Sequence, residues 1–391
     1  MISSNELKEQ FLLDPEVVFL NHGSFGACPR PVFEKYQEWQ RRLEWQPVQF
    51  LGVELDQLLL QSRQVLADYL HSQANNLVYI PNATHGVNII ARSILLKPGD
   101  EILTTDQEYG ACNYAWDFVS QKTGATYKQQ AIQLPVSSEE EIVGQFWQGV
   151  TPKTKVIFIS HIASPTSLTF PIQMICQRAR QAGILSVVDG AHAPGQSDLD
   201  LTALQADFYT GNCHKWMLSP KGAGFLYALP DVQHMIEPLI VSWGYPSRST
   251  TPRETPFIDL LQWTGTKDPA AALSVPAAIE FMRLNHWGDV RRECHDLLRS
   301  ALELTGEWSG FEPLYPLDST LYHQMGTLPI PQVRDILELK ARLYDGYKIE
   351  IPCMEWNGRH YVRLSVQGYN SEDDIAKLVR SLLEIVPTLA V

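Results

Sequence analysis

Two short apolar runs, each followed by a charged side chain, are the sequence feature that most constrains the fold of this chain. The first covers residues 185–188 and ends on Asp189, with His192 three residues later. The second covers residues 206–209 and leads into a polar segment that contains Lys215. Such runs are typical of buried strands, and in an open α/β sheet ligands bind beyond the carboxyl ends of the strands. The pattern therefore predicts that an acid and a lysine meet at one edge of a sheet.

These two residues suit the chemistry of a pyridine cofactor. A carboxylate can pair with the ring nitrogen of such a cofactor, and a lysine can form a Schiff base with its aldehyde. Each residue alone has a simpler explanation, because Asp189 can cap a helix and Lys215 can be an ordinary surface lysine. The remaining segments of the chain must therefore decide between the two interpretations.

The segments before Asp189 follow the order strand, helix, strand. Residues 155–161 form a near-continuous apolar run, which is typical of a strand buried on both faces. Pro171 can begin a helix at its first turn, and that helix reaches Gly183 before the next strand starts. This βαβ pattern predicts an α/β fold. No GxGxxG sequence lies at these junctions, which disfavours a Rossmann dinucleotide site.

Length and charge narrow the class of protein further. The chain has 391 residues, more than one hydrophobic core usually organises, so we expect one large and one small domain. The net charge is −13 and no basic patch stands out, so nucleic acid is disfavoured as a partner. No stretch approaches the roughly 20 apolar residues that a membrane span needs, so a membrane is disfavoured as well.

The cysteines and the first residues indicate the compartment. The six cysteines are scattered without a CxxC pair, which predicts neither a zinc site nor a disulfide framework. The first residues carry charges and lack the apolar core of a signal peptide. We therefore expect the reducing cytoplasm as the compartment.

A candidate anion site follows the short apolar run at residues 77–80. Residues 81–86 are small or polar, and apolar residues then recur with helical spacing over residues 87–95. The free N–H groups at such a helix start, together with the hydroxyl of Thr84, can bind a phosphate. Threonine and asparagine are also ordinary helix caps, so this segment alone leaves both interpretations open.

Three further segments have both a functional and a structural interpretation. Residues 21–29 contain two glycines and a proline, so this tight loop can approach a ligand or be a surface turn. Tyr109 follows a predicted strand and can stack on a flat ring or simply pack. Arg363 shares one face of a predicted strand with Tyr361 and Ser365.

Taken in order, these segments resemble the class V aminotransferase family, whose members are fold-type I pyridoxal-phosphate enzymes. The resemblance extends over nearly the whole chain, from residues 21–26 to residues 363–365, and points to the isopenicillin N epimerase-like branch. It rests mainly on the order and spacing of Asp189, His192 and Lys215.

The family fold implies an architecture of a large and a small domain. The large domain would contain a mixed, mostly parallel sheet, and the smaller C-terminal domain would be α+β. We expect an N-terminal arm over residues 1–16, the large cofactor-binding domain over residues 17–268 and the small domain over residues 269–391. The second boundary ends a loop-rich segment that starts near residue 240.

The resemblance also implies the central chemical roles. Lys215 would form the Schiff base with pyridoxal 5'-phosphate and then act as the base at the substrate Cα. Lys221 is a competing candidate, but its place in a glycine-rich turn and the family pattern favour Lys215. Asp189 would pair with the pyridine nitrogen and keep it protonated, while His192 would lie beside the ring. Arg363 would hold the substrate α-carboxylate, for which a bidentate guanidinium is suited.

Other residues would contact the rest of the cofactor. Ala83 and Thr84 would bind its phosphate with help from His214, and Tyr109 would stack on its ring. Ser164 stands where relatives often carry an asparagine that contacts the phenolic oxygen, so its role stays open.

Two more segments complete the implied site. Asn21 and His22 would line the substrate pocket. Residues 264–266 would reach the phosphate of the partner subunit, with Thr266 as the contact residue. This arrangement implies a homodimer with shared active sites and a small amino-acid substrate. No residue is implied as a metal ligand.

The family performs several reactions, and the sequence leaves three of them open. We expect an isopenicillin N epimerase-like reaction at the Cα of an amino acid or small peptide. A cysteine or cystine C–S lyase, or an aminotransferase, is the alternative. Cys353 is interpreted as structural, because residues 351–355 do not resemble the mobile loop of a cysteine desulfurase. The identity of a second base, Tyr109 or His22, is left open.

Two further classes of function are disfavoured. A protein that only binds pyridoxal phosphate would need no carboxylate clamp, yet Arg363 is present together with Lys215 and Asp189. A nucleotide-dependent oxidoreductase would need the glycine fingerprint that is missing.

Overall fold

The strands of this computed structural model, which describes residues 4–245 and 254–390, form three sheets. In chain order the strands of these residues are β1 (Val18–Phe19), β2 (Leu77–Ile80), β3 (Glu101–Thr105), β4 (Thr126–Gln130), β5 (Thr154–Ser160), β6 (Leu185–Gly190), β7 (Phe208–Asn212), β8 (Gly224–Ala228), β9 (Met325–Ile330), β10 (Ile349–Glu350), β11 (Cys353–Trp356) and β12 (Arg359–Ser365). The largest sheet has seven strands in the order β2-β8-β7-β6-β5-β3-β4.

Helices surround these sheets. Those of the described residues are α1 (Ser4–Glu9), α2 (His22–Phe25), α3 (Arg30–Trp45), α4 (Pro47–Gln49), α5 (Leu55–Tyr69), α6 (Ala83–Ser93), α7 (Gly110–Thr123), α8 (Glu139–Trp147), α9 (Ile172–Gln181), α10 (Leu201–Leu204), α11 (Pro256–Gln262), α12 (Ala270–Leu273), α13 (Val275–Leu284), α14 (Trp287–Ser309), α15 (Ile336–Tyr347) and α16 (Glu372–Ile385). A π-helical turn over Phe50–Glu54 joins α4 to α5. None of the described helices combines the length and apolarity needed to cross a membrane.

The seven-stranded sheet is buried on both faces because its central strands alternate between two apolar cores. In β5, Val156 and Phe158 pack into one core, whereas Ile157 and Ile159 pack into the other. Six of the strands are parallel to one another, and β8 runs antiparallel between β2 and β7. This sheet confirms the predicted α/β class and its mixed, mostly parallel character.

The predicted strands differ from the observed ones where polar residues take part in pairing. The strand expected at residues 206–209 is β7, which continues to Asn212 because β6 and β8 pair with it on both sides. Edge strand β4 was not predicted, since its sequence TYKQQ has no apolar run. Polar side chains are common on exposed edges, so apolar patterning alone misses such strands.

The C-terminal part of the chain forms a three-stranded antiparallel sheet in the order β11-β12-β9. Helix α14 packs on β9, and α16 starts with a capping box at Ser371 and Asp374. Strand β1 pairs in parallel with β10, which ties the first residues to this part of the chain. The domain boundaries at residues 16/17 and 268/269 stay a prediction.

The turn after α2 packs directly against the segment that follows β7. Gly26 has a φ of +70°, and a Cβ built there would lie 2.1 Å from the His214 carbonyl oxygen and 2.9 Å from the Lys215 Cα. Lys221 donates from Nζ to the Gly26 carbonyl oxygen at 2.9 Å. Only glycine satisfies both the backbone angle and the close approach. The N-terminal turn therefore fixes the backbone on which Lys215 stands.

Replacing Gly26 with alanine tests this contact. We expect Gly26→Ala to destabilise the protein by about 1–3 kcal/mol more than Gly183→Ala, because only the new methyl group at position 26 would overlap with neighbouring backbone atoms. Gly183 is the matched control, since its φ is +67° but a Cβ there would meet nothing within 4 Å. The measurement is the thermal unfolding midpoint of the cofactor-free variants. Equal losses for both would contradict the proposed packing.

Candidate active site

Polar side chains gather beyond the carboxyl ends of the parallel strands, around a cavity of about 220 Å³. Eight of the predicted residues line this cavity: Ala83, Thr84, Tyr109, Ser164, Asp189, His192, His214 and Lys215. Seven more residues complete its wall: Ser24, Phe25, Asn82, Ser160, Ile162, Ala191 and Asn212. The structure thus brings most of the predicted site into one place.

Lys215 follows β7 and projects its amine towards the end of β6. Its Nζ lies 3.3 Å from Nε2 of His192. Burial, and after it the positive charge of Arg363, lowers the pKa of Lys215 to about 8. A substantial fraction of this amine is therefore neutral near physiological pH and available as a nucleophile or base. Lys221, the competing lysine, is exposed and donates to the Gly26 carbonyl instead of lining the cavity.

Asp189 is a buried carboxylate near the end of β6, next to Thr210 of β7 in the sheet. One of its oxygens accepts from the Ala191 N–H at 2.9 Å, and the other accepts from the Cys112 thiol at 3.4 Å. Burial raises the pKa of Asp189, partly offset by these two hydrogen bonds. A cation placed beside it would favour the ionised form, as a protonated pyridine nitrogen would.

The start of α6 forms the second end of the cavity. Asn82 caps the helix by accepting from the His85 N–H, and the Ala83 N–H donates to Oδ1 of Asn212 at 2.8 Å. In the described part of the chain, neither the N–H nor the hydroxyl of Thr84 has a hydrogen-bond partner. A helix start with such donors suits a phosphate.

His214 lines the same cavity as this helix start, and one of its ring nitrogens already has a hydrogen-bond partner. Its Nδ1–H donates to the Ala223 carbonyl oxygen at 2.9 Å, which leaves Nε2 for a ligand. Burial lowers the pKa of His214 to about 4, despite the opposing effect of that hydrogen bond. A bound phosphate would raise this pKa, since an anion favours the imidazolium.

Arg363 projects from β12, in the three-stranded sheet, towards two residues of the cavity wall. Its Nη1 donates to the carbonyl oxygen and the hydroxyl of Ser164, both at 2.9 Å, and its Nη2 donates to Ser24 at 3.1 Å. Its buried Nε has no hydrogen-bond partner among the described residues. Burial lowers the pKa of Arg363 to about 10, so the guanidinium is charged at neutral pH but has only neutral partners. A carboxylate ligand would supply the missing countercharge.

Besides Arg363, three predicted residues lie outside the cavity wall. Asn21 accepts from the Ser24 hydroxyl and donates to Glu350, so it supports Arg363 indirectly. His22 is fully buried behind Lys215, where Nε2–H donates to the Lys215 carbonyl and Nδ1 bonds to the Tyr369 hydroxyl. The structure therefore does not bring His22 to the cavity as a substrate contact or second base. Thr266 is exposed and does not line the cavity.

Sequence reasoning missed several of the wall residues. Ser160 ends β5 and Asn212 ends β7, so the same rule that identified Asp189 identifies both. Ser24 lies in the glycine-containing loop that was noted only as a whole. Glu108 accepts from both the N–H and the hydroxyl of Ser160, and burial raises the pKa of Glu108 to about 7. No sequence signal distinguished this buried glutamate from a surface one.

The residues present fit pyridoxal phosphate, the cofactor that the resemblance implies. An unpaired buried carboxylate at Asp189 suits the ring nitrogen, and the lysine of lowered pKa at position 215 suits the aldehyde. The free donors of Thr84 suit the phosphate. No group of acidic, histidine or cysteine side chains in the described residues is arranged to hold a metal ion.

Comparisons with known proteins identify the family of this chain. The family model for aminotransferase class-V matches residues 19–378. An isopenicillin N epimerase of Amycolatopsis lactamdurans is 35% identical over 97% of both chains. A probable L-cysteine desulfhydrase of Arabidopsis thaliana, chloroplastic, is 27% identical and covers 96% of this chain and 85% of its own.

A solved structure confirms the predicted fold type. The apo structure of a cysteine desulfurase from Thermococcus onnurineus NA1 superimposes with a TM-score of 0.84 at 20% identity, covering 100% of this chain and 99% of its own. The predicted cofactor is likewise confirmed, because pyridoxal phosphate is the cofactor of the aminotransferase class-V family, whose model matches most of the chain. The chain belongs to the class-V aminotransferase family and is a pyridoxal-phosphate-dependent enzyme.

Proposed function

We propose that this enzyme moves a proton at the Cα of an amino acid or small peptide, as an isopenicillin N epimerase-like enzyme. The observation that carries the proposal is that Lys215 and Asp189 line one cavity and that Arg363 hydrogen-bonds to Ser164 and Ser24 in its wall. The similarity in sequence to an isopenicillin N epimerase over almost the full length supports this reaction over others of the family. The substrate class is one with a free α-amino group and an α-carboxylate.

Each charged residue has a separate task in this proposal. When bound, pyridoxal phosphate supplies an electron sink that acidifies the substrate Cα–H. Asp189 holds the proton on the ring nitrogen, which its buried carboxylate favours over a neutral nitrogen. Thr84 and His214 bind the phosphate at the start of α6. Lys215 takes the proton from Cα, because its lowered pKa suits a base, and inversion then requires a proton delivered to the opposite face.

Arg363 orients the substrate for that proton transfer. Its guanidinium holds the α-carboxylate, while Ser24 and Ser164 fix the direction of its nitrogens. Tyr109 lines the same cavity and is half exposed, whereas both nitrogens of His22 are engaged. Tyr109 is therefore the better candidate for a second base.

C–S bond cleavage is the second candidate, supported by the similarity to a probable L-cysteine desulfhydrase. A desulfurase mechanism with an enzyme thiol is not supported. Cys353 lies in β11 and is buried, and burial raises the pKa of its thiol to about 12. No cysteine of the described residues lines the cavity.

Lysine replacement tests the assignment of the cofactor lysine. We expect Lys215→Ala to lose the borohydride-fixed cofactor, because the amine that joins the aldehyde is gone. Lys221→Ala is the matched control and should keep it, since Lys221 donates to the Gly26 carbonyl instead. Mass spectrometry of borohydride-treated peptides identifies the labelled lysine. A label that moves to Lys221, or survives in Lys215→Ala, would overturn the assignment.

Solvent deuterium distinguishes the reactions. We expect the holoenzyme in deuterated water to place deuterium at Cα of its substrate, because the side chains that move the proton exchange it with solvent. The opposite stereoisomer should form as well, because the proton returns on the face opposite Lys215. Chiral chromatography and mass spectrometry of a panel of L-amino acids and small peptides measure both. Pyruvate with sulfide from cysteine would instead indicate a C–S lyase, and keto acid with a transferred amine an aminotransferase. Lys215→Ala is the control without exchange.

We also propose a homodimer whose active sites are shared. Phe25 and Tyr109 line the cavity yet are 74% and 49% exposed. Exposed aromatic side chains around a cavity are typical of a protein–protein interface. Thr266 points to the same arrangement, since it is exposed and lies outside the cavity of its own chain.

Light scattering coupled to size-exclusion chromatography tests the dimer. For a chain of 44.2 kDa we expect about twice that mass at micromolar concentration, because the exposed aromatic residues would be buried between subunits. A mass of one chain at every concentration, with cofactor bound and activity intact, would contradict the proposal.

We propose the cytoplasm as the compartment. All six cysteines are free in the structure, and a reducing compartment keeps thiols in that state.

A further inference from the structure

His192 is enclosed between a tryptophan and the cofactor lysine. The side chain is 5% exposed, and Trp216 beside it is fully buried. The indole Nε1–H of Trp216 donates to Nδ1 of His192 at 3.4 Å. The other ring nitrogen, Nε2, lies 3.3 Å from Nζ of Lys215. Each nitrogen of the imidazole therefore has one defined partner.

The chemistry of these partners determines where the protons are. An indole nitrogen only donates, so Nδ1 of His192 must be unprotonated to accept from it. A neutral imidazole carries one proton, which must then lie on Nε2. An Nε2–H can only donate, and its partner Nζ of Lys215 must accept. An ammonium has no lone pair to accept with, so this arrangement requires a neutral amine.

We propose that Trp216 is a positioning residue that acts through the tautomer of His192 to favour the neutral form of the Lys215 amine. This inference rests on the proposed function, in which Lys215 is the lysine that joins the cofactor and moves the Cα proton. In this role the indole N–H of Trp216 is needed as a hydrogen-bond donor, so an apolar side chain of similar size would not replace it.

The electrostatics of the site agree with this arrangement. Burial lowers the pKa of His192 well below its ordinary value, so the imidazole is neutral. Lys215 makes no salt bridge with an acid among the described residues. The titratable and charged groups around it are Arg363 from β12, Asp189 from β6, Cys112 from α7, His22 from α2, His192 after β6 and His214 after β7. Of these, only His192 hydrogen-bonds to Nζ.

The indole is held rigidly enough for such a role. A Cβ built on Gly195, whose φ is +91°, would lie 2.3 Å from the Trp216 carbonyl carbon, so the backbone of the two segments is in direct contact. The indole ring lies against the ring of His22, with centroids 4.9 Å apart. Ile162 and Met325 complete the surrounding apolar cluster. The indole N–H therefore has little freedom to turn away from His192.

The test compares two tryptophan-to-phenylalanine variants in the cofactor-free protein. Trp216→Phe removes the indole donor, whereas Trp116→Phe removes a fully buried indole whose N–H has no partner among the described residues. Competitive acetylation across a pH series, with mass spectrometry of the Lys215 peptide, measures the fraction of neutral amine. The wild type should have its midpoint near pH 8.

We expect Trp216→Phe to raise this midpoint by about one pH unit, which is the worth of one ordinary hydrogen bond. Without the indole, His192 can carry its proton on Nδ1 and accept from an ammonium at Nε2, which stabilises charged Lys215. Trp116→Phe should leave the midpoint where it is. A midpoint that does not move in Trp216→Phe would overturn the inference.

The path through His192 is tested in a His192→Phe background. If Trp216 acts through this histidine, adding Trp216→Phe there should produce no further shift. A shift of the same size would instead mean that Trp216 acts by packing or by excluding water, and would overturn the inference. If Trp216→Phe does not fold, ¹⁵N NMR of the histidine-labelled wild type tests the inference, which requires the Nε2–H tautomer at His192. Finding the Nδ1–H tautomer there would overturn the inference.

These experiments separate the inference from the proposed function. The acetylation midpoint and the tautomer are measured without cofactor or substrate. A midpoint or tautomer that contradicts the inference leaves the borohydride label on Lys215, and its loss in Lys215→Ala, unaffected. A borohydride label that persists in Lys215→Ala would instead remove the proposed role of Lys215.

Discussion

The active site depends on keeping three ionisable side chains out of water and out of direct contact with one another. Lys215, Asp189 and Arg363 form no ion pair with each other among the described residues, and each has neutral partners instead. Burying a charge without a countercharge is costly, so a folded chain tolerates it only where neighbouring dipoles compensate part of the cost. The site is therefore suited to a ligand whose charged groups would pair with these side chains.

The surrounding fold supplies that compensation from separate parts of the chain. The parallel strands bring Asp189 and the segment of Lys215 to one edge of the large sheet, because β6 and β7 are neighbours. Arg363 arrives from the other sheet on β12, and Ser164 and Ser24 hold it. The close approach of Gly26 locks the N-terminal turn onto Lys215. The hydrogen bonds that fix each charge thus cross between segments that are distant in sequence.

Much of this arrangement follows from local patterns. The apolar run of β5 predicts a doubly buried strand, and the polar residues at the end of β6 predict a ligand edge. The helical spacing after Thr84 predicts a helix start, at which a phosphate can bind. Edge strand β4 escapes such reasoning, because sheet pairing rather than an apolar run holds it. His22 escapes it too, since nothing in the sequence places a loop histidine behind Lys215.

The sequence by itself determined the fold class and the main chemical groups, since apolar periodicity and the residues at strand ends are local properties. It also pointed to the family and its cofactor through the order of those groups. Tertiary structure alone decided which groups touch. Hydrogen bonds such as Trp216 to His192, or Ser24 to Arg363, depend on distances between side chains across the fold. The protonation states that the chemistry requires are therefore a property of the packed molecule and not of any one motif.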